Sequence, residues 1–580
     1  SFSTIYIYKN NAIKVLDVPI VVADIVVYQN EVLVAGGENG IFKLEDEKLI
    51  PFIGLNPLIS KTIISMTEIP EGLLIGTKLY GCYLFANNEV VEWSNEINEE
   101  LKKYQLNEVV LFPSSKIAFG TIKKGVYLYD LHTDSSKNLD RETGLQNNTV
   151  LSMVQYNNQL WVGLDNGIDR ITTNAPITYY TDFSGAVGTT YDIAFFENTL
   201  YLGSNTGIYY FENEELKFVE GSQDHVWDLE VIDGELLAGH NKGTFRINKN
   251  KLEKISLISG GYQLVKVPEN DKLYFQGTYT GISKFKKDEN DEWNVKVISG
   301  VKFPVKQLCF ETPNILWVAH PYKGFFRLKL NENLDEVIEK KAYENDAIPN
   351  NYNVKVYNVK NQIVFYAEGI WYAYNAILGK IEILEDFKNL HSNELIYNDE
   401  DYFWFINNEN GKEIVYTDLK TNKLSIAENL LNRRLVPDAE KVVKLNDSIF
   451  VITLNDGFGK INLKKLNTYL KNFNIPVPNL NYFKDEHKRF SLNENYFRVN
   501  YKSSQNISFQ VSTPNFAKPR YFYELTGTKE QSQYIDNGTL NFQNLPHGEY
   551  EIKISTVSMD GKTSLPKSFS FEIAPPWYLS

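Results

Sequence analysis

Cysteine is almost absent: the 580 residues hold two, Cys82 and Cys309. They lie far apart, each inside an apolar run. No disulfide framework can be built from them, and both read as small buried hydrophobes. Positive charge is also short. Lys and Arg number 59 against 73 Asp and Glu, a net charge of −14. No basic stripe interrupts the acid, so the chain repels phosphate backbones, which argues against direct nucleic acid contact by this region. Long apolar runs are missing too. The longest, Val18 to Tyr28, contains Asp24 and falls well short of the roughly 20 residues of a membrane helix. The chain starts at Ser1 with neither Met nor a basic, then apolar, leader, which reads as a piece of something longer. Its seven histidines include no i, i+4 pair and none beside a Cys pair. No nucleophile elbow, phosphate loop or dinucleotide fingerprint occurs. The sequence therefore predicts no cofactor and no metal site, and nominates no catalytic residue.

What the chain does have is aromatic carbon and a repeat. Hydrophobic residues make up 43 % and aromatics 14 %, with 37 Tyr and 34 Phe. That supplies large cores, excludes a disordered chain and favours strands. Through the first four-fifths an apolar run, a Gly, a few polar residues, a second Gly and another apolar run recur. Examples are LVAGGENGIF (33–42), LLIGTKLYGCYLF (73–85), LWVGLDNGIDRI (160–171), LYLGSNTGIYYF (200–211), LLAGHNKGTFRI (236–247) and LYFQGTYTGISKF (273–285). In LWVAHPYKGFFRL (316–328), Ala319 replaces the first Gly, and weaker copies surround Gly369, Gly411 and Gly457. The second glycines recur at a mean step of about 42 residues, the period of a four-stranded propeller blade.

One repeat places its strands: VLSMVQY (150–156) innermost, then QLWVGL, IDRIT and, outermost, ITYYTD (177–182). Trp161 and Trp317 hold equivalent positions and read as blade-to-blade packing. Residues 1–17 match only the last two strands of a blade. About 11.5 blades follow from the count, too many for one ring. Two rings are expected within 1–474, seven-bladed with the N-terminal part missing or, alternatively, six-bladed, with no boundary assignable between them. Near Ile475 a Pro- and Asn-rich stretch ends the period. Residues 475–580 then carry six or seven alternating runs in about 100 residues, as in an immunoglobulin-like sandwich.

These residues carry a resemblance. Copies such as GLQNNTVLSMVQYNNQLWVGLDNGIDRI resemble the propeller repeat of two-component regulators. Residues 490–578 resemble the triple-tyrosine (Y_Y_Y) domain that follows such propellers, through Asn506-Ile507-Ser508-Phe509, Tyr521-Phe522-Tyr523-Glu524-Leu525, Leu545-Pro546-His547-Gly548-Glu549-Tyr550 and Pro575-Pro576-Trp577-Tyr578. The resemblance implies the periplasmic sensor region of a membrane-spanning regulator of Bacteroidetes-type bacteria. A membrane helix would follow the sandwich and tether the protein to the inner membrane, and a kinase or DNA-binding output would lie beyond it. It also implies an oligosaccharide or small-molecule ligand, a homodimer through the sandwich, and no catalysis by this region. A carbohydrate-active propeller enzyme (a lyase or hydrolase) and a protein-interaction scaffold are the alternatives, since fold alone does not decide function.

Candidate ligand contacts come from position. In four repeats the residue twelve before the first motif Gly is Ile64, Leu151, Tyr191 or Trp227, followed by Ser65, Ser152, Asp192 or Asp228. This is where an inner strand begins, facing the funnel of a propeller. Tyr191, Asp192, His225, Trp227 and Asp228 would present aromatic rings and carboxylates there, the combination that holds sugars. The competing reading has the rings packing between blades and the aspartates capping turns.

Overall fold

The computed structural model describes residues 3–52, 56–112, 116–156, 159–212, 215–343, 348–350, 352–399, 401–407, 412–431, 434–472, 474–490, 496–514, 519–558 and 562–579. Gly411 lies outside them. The regular structure of the described chain is mainly strand, in largely antiparallel sheets of mostly four strands. It divides into two units, residues 1–175 with 180–185, and residues 176–179 with 186–580.

The first unit holds a strand pair, Thr4–Lys9 with Ala12–Asp17. Three four-stranded blades follow (24–51, 63–92 and 106–139), then a three-stranded sheet (150–172). Apolar runs on either side of tight turns make the strands of these repeats, and positive φ closes hairpins such as those at Asn87-Asn88 (φ 51° and 63°) and Gly125 (φ 69°). Gly125 admits no other residue: a Cβ there would stand 2.1 Å from the Leu139 carbonyl. Successive blades share apolar cores, such as Leu33, Ile41, Ile63, Met66 and Ile75. One short helix, Glu96–Tyr104, interrupts the strand pattern, capped by the Asn95 side chain.

The second unit closes a ring of seven blades: I (190–218), II (226–256), III (264–297), IV (307–342), V (355–383), VI (393–427) and VII, made from 442–462 and the strand Ile177–Thr181. Blade VII corrects the strand order expected from sequence. Ile177–Thr181 is not the fourth strand of the preceding repeat. It pairs instead with Gly457–Asn462, Asn462 N–H donates to Pro176 C=O at 2.9 Å, and Ile177 is buried among Ile414, Ile452 and Ile461. The strand that leads into the ring thus completes its last blade, so neither ends on an open edge. The ring boundary, unassignable from sequence, falls at this strand.

Beyond the helix Leu463–Asn472, a three-stranded sheet (Asn479–Lys484, Asn506–Ser512, Thr539–Gln543) faces a five-stranded one (Tyr496–Val499, Lys567–Ile573, Gly548–Val557, Arg520–Gly527, Gln531–Ile535). Phe483 centres their shared core, its ring 4.6 Å from both Phe497 and Phe509. Tyr521, Tyr523 and Tyr550 are buried in the same core. Tyr550 Oη donates to Pro546 C=O at 2.8 Å.

Both cysteines are buried, as expected. The two equivalent tryptophans part company. Trp317 is 0 % exposed, whereas Trp161 is 37 % exposed. Among the described residues of the first unit no further blade covers the Trp161 face, where Val154, Tyr156 and Ile168 also meet solvent.

One acid on a first-unit inner strand sets a pH dependence. Desolvation, and then the charge of Asp24, push the Glu108 carboxyl up to about 7 from 4.5. The unfolded chain therefore ionises first, and stability falls as pH rises from about 4.5 to 7. Glu108→Gln is expected to add ~1–2 kcal/mol above pH 7, allowing for solvent screening of a half-buried group, and nothing near pH 4.5. Thermal unfolding of both proteins across that range checks it. A constant difference at every pH would contradict it.

Candidate functional site

First strands of neighbouring blades lie against one another: Thr190–Phe196 touches Val226–Ile232 on one side and the first strand of blade VII on the other. These strands line the ring axis, and a bulge opens several of them. In blade I the register steps from Thr190 to Asp192, and in blade II from Val226 to Asp228. Tyr191 and Trp227 are thus extra residues, unpaired and turned out of the ladder. The same step in the first unit falls at Ile64, Asn107 and Leu151.

Two further blades place a residue at the same point. In blade III, Tyr262 N–H donates to the motif glycine, Gly277 C=O, at 2.9 Å. In blade IV, Lys306 N–H donates to Ala319 C=O at 3.0 Å, and Gln307 pairs with Ala319. Tyr191, Trp227, Tyr262 and Lys306 are therefore equivalent residues of four consecutive blades. The spacing rule missed the last two because their first hairpins are longer: Tyr262 stands 15 residues before Gly277, and Lys306 stands 13 before Ala319.

The three aromatic members form one shelf with their neighbours. Trp227 lies with its ring centroid 5.3 Å from Tyr191, 5.2 Å from His225 and 5.8 Å from Tyr262, and Tyr191 and His225 stack at 6.0 Å. All four are half-buried. Trp227 Nε1–H donates to Tyr279 Oη at 2.8 Å, and Tyr279 Oη donates to Asn241 Oδ1 at 2.8 Å. Asn241 Nδ2 in turn donates to Asp224 Oδ1 at 3.1 Å. Asp224 has φ 124°, costly for a residue with a Cβ, and such strain collects at ligand sites. His225 N–H, donating at 2.8 Å, is the first of the bonds that hold the Asp224 carboxyl below its usual range.

The sequence-predicted aspartates sit one step deeper. Asp192 and Asp228 are 4 % and 5 % exposed. Asp192 Oδ2 accepts the Leu229 N–H of the next blade at 2.9 Å, and Asp228 accepts that of Leu264. Asp24 does the same for Met66 at 2.6 Å and Gln307 for Val356 at 3.1 Å. These side chains staple one blade to the next. Of the five nominated residues, Tyr191, His225 and Trp227 form the shelf, whereas the two carboxylates address the backbone beneath it.

Charge gathers around the aspartates. Lys441 Nζ lies 3.8 Å from Asp192 Oδ2, and the Asp192 charge raises its affinity for a proton. Desolvation, then the Asp192 charge, push the Asp228 carboxyl well above the carboxylate range. Glu230, on the same strand, is pushed up to about 7, mainly by desolvation. Further round, Lys355 sits 3.4 Å from Glu394 and 3.6 Å from Asp438. Among the described residues no group of three or more His, Cys, Asp or Glu side chains is placed to hold a metal ion.

The second unit is thus a seven-bladed propeller that carries an aromatic shelf with a hydrogen-bonded polar row behind it. No family model matches the chain, and no curated protein matches it. Among solved structures, it is similar to the extracellular domain described as that of the hybrid two-component system BT3049 of B. thetaiotaomicron, at 14 % identity, over 98 % of this chain and 87 % of that one, with a TM-score of 0.62. A structure described as the extracellular domain of the one-component system BT4673 of the same organism matches at 15 % identity over 100 % and 85 %, with a TM-score of 0.41. The first likeness shows that the fold is shared.

Proposed function

We propose that this chain is the periplasmic sensor region of a membrane-spanning signalling protein and takes an oligosaccharide on the shelf of Tyr191, His225, Trp227 and Tyr262. The observation that carries the reading is the equivalence of Tyr191, Trp227 and Tyr262. Three successive blades offer an aromatic ring at one point, and neighbouring rings make a surface long enough for more than one sugar. Pyranose faces are apolar and their edges polar, which suits rings backed by a hydrogen-bonded Tyr279–Asn241–Asp224 row. The likeness to an extracellular domain of a two-component system supports the sensor role and its extracytoplasmic side. No described helix is long and apolar enough to cross a membrane.

Signalling follows by population shift: a ligand that binds one arrangement more tightly than another biases the equilibrium by that difference. Two copies of the C-terminal sandwich would form the dimer that reads the bias, and helices beyond it would carry the change through the inner membrane. The reading assigns binding and no turnover to this region.

A panel of purified oligosaccharides tests it, by thermal shift and then calorimetry. A ligand present at about a hundredfold its Kd stabilises the fold by about 2.7 kcal/mol. The expected result is one class of oligosaccharide that raises Tm and is recovered unchanged. No binding by any member, or steady release of products by the pure protein, would contradict the reading.

A further inference from the structure

The fourth member of the equivalent set is not aromatic. Lys306 follows Tyr262 on the next blade, where the shelf ends. Among the described residues its ammonium makes no ion pair and no hydrogen bond, unlike the other lysines near it. Lys441 faces Asp192, and Lys355 faces Glu394 and Asp438. Lys306 is half-buried. Desolvation, and then the charge of Lys355, hold its pKa below the usual lysine value. An anion brought beside it would relieve both.

We infer that the oligosaccharide is acidic and that its anionic group, a uronate carboxylate or a sulfate ester, sits on Lys306 while its sugar rings lie on Trp227 and Tyr262. This rests on the oligosaccharide reading above and names the ligand class for that same site. Of the nearby acids, Asp192 contacts Lys441 and Asp228 holds its proton more tightly than a free carboxyl. The charges of Glu394 and Asp438 reach Lys306, but both carboxylates are in contact with Lys355 and not with Lys306. Among the described residues Lys306 is the lysine of this group whose ammonium touches no carboxylate. A chain of net charge −14 that keeps an unpaired lysine here has placed it against the general field of the protein. A polyanion is repelled by the rest of the surface and is held at this point alone, which favours selectivity over general affinity.

Calorimetry on the full 580-residue chain tests this in two arms. One uses uronate-bearing oligosaccharides and their carboxyl-reduced counterparts; the other uses sulfated oligosaccharides and their desulfated counterparts. In the arm that holds the ligand, removing the anionic group is expected to weaken binding about tenfold or more. Lys306→Met is expected to weaken the anionic sugar by the same factor and to leave its neutral counterpart unchanged, and added salt should reproduce part of the loss. Which arm responds identifies the anion. Neutral counterparts that bind equally well, or a Lys306→Met protein with unaltered preference, would overturn the inference. If Trp227→Ala still abolished binding in that case, the shelf would stand without it. Failure of every oligosaccharide, neutral and anionic, would overturn both.

Discussion

Trp317→Ala is expected to cost about 3–5 kcal/mol, and the equivalent Trp161→Ala less than about 1 kcal/mol. The two residues hold the same register. Each pairs across its hairpin with an arginine, Trp317 with Arg327 and Trp161 with Arg170. Their surroundings differ. Trp317 is closed in by Tyr343 at 5.0 Å and by Phe365 and Tyr374 at 4.9 Å, between blades IV and V. Its Nε1–H donates to Glu311 at 2.9 Å, and Glu311 holds Arg327 through two bonds of 2.7 Å. Truncation would leave a large cavity and remove a donor from that half-buried carboxylate. Trp161 has the Arg170 guanidinium 5.9 Å above its ring and water beside it. Denaturant unfolding of the two variants measures both costs. Similar losses would contradict the blade assignment.

The second large effect separates the two aspartates beneath the shelf. Asp192→Ala is expected to cost about 2–4 kcal/mol, because the Leu229 N–H loses its acceptor in a buried strand and Lys441 loses its counter-charge. Asp228→Asn is expected to fall within about 0.5 kcal/mol of wild type. Burial and its neighbours already favour the protonated carboxyl, and the amide reproduces its shape and its acceptor oxygen. Asp192→Asn, which keeps an acceptor but not the charge, should lie between them. Urea titration of the three proteins at neutral pH checks the order. An Asp228→Asn protein as damaged as Asp192→Ala would mean that Asp228 carries a needed charge.

The blades were legible because each repeat carries its own evidence: alternating apolar residues, a Gly at the end of the second strand and a turn with positive φ. Ring closure was not. Ile177–Thr181 has the pattern of any strand, and the pattern does not name a partner at Gly457–Asn462, far along the chain. The same limit hid the fate of Trp161, whose sequence matches that of Trp317. Burial there depends on the next blade, not on local pattern. At the site, counting back from the motif glycine found Tyr191 and Trp227, and the adjoining segment supplied His225. It lost Tyr262 and Lys306, where a longer first hairpin sets the residue 15 and 13 positions before the motif residue. Asp192 and Asp228 were found for the right position. Their carboxylates proved to serve backbone N–H groups, which no residue pattern reveals.

The shelf is the central claim, and one comparison of affinities tests it. The tightest-binding oligosaccharide of the panel is titrated onto wild type, Trp227→Ala and Trp161→Ala. Trp227 touches Tyr191, His225 and Tyr262, so its loss breaks the surface at its centre. The account predicts about 30-fold weaker binding or more for Trp227→Ala and unchanged binding for Trp161→Ala, whose exposed ring belongs to the other unit. Equal affinity of Trp227→Ala and wild type, with the fold intact, would contradict it.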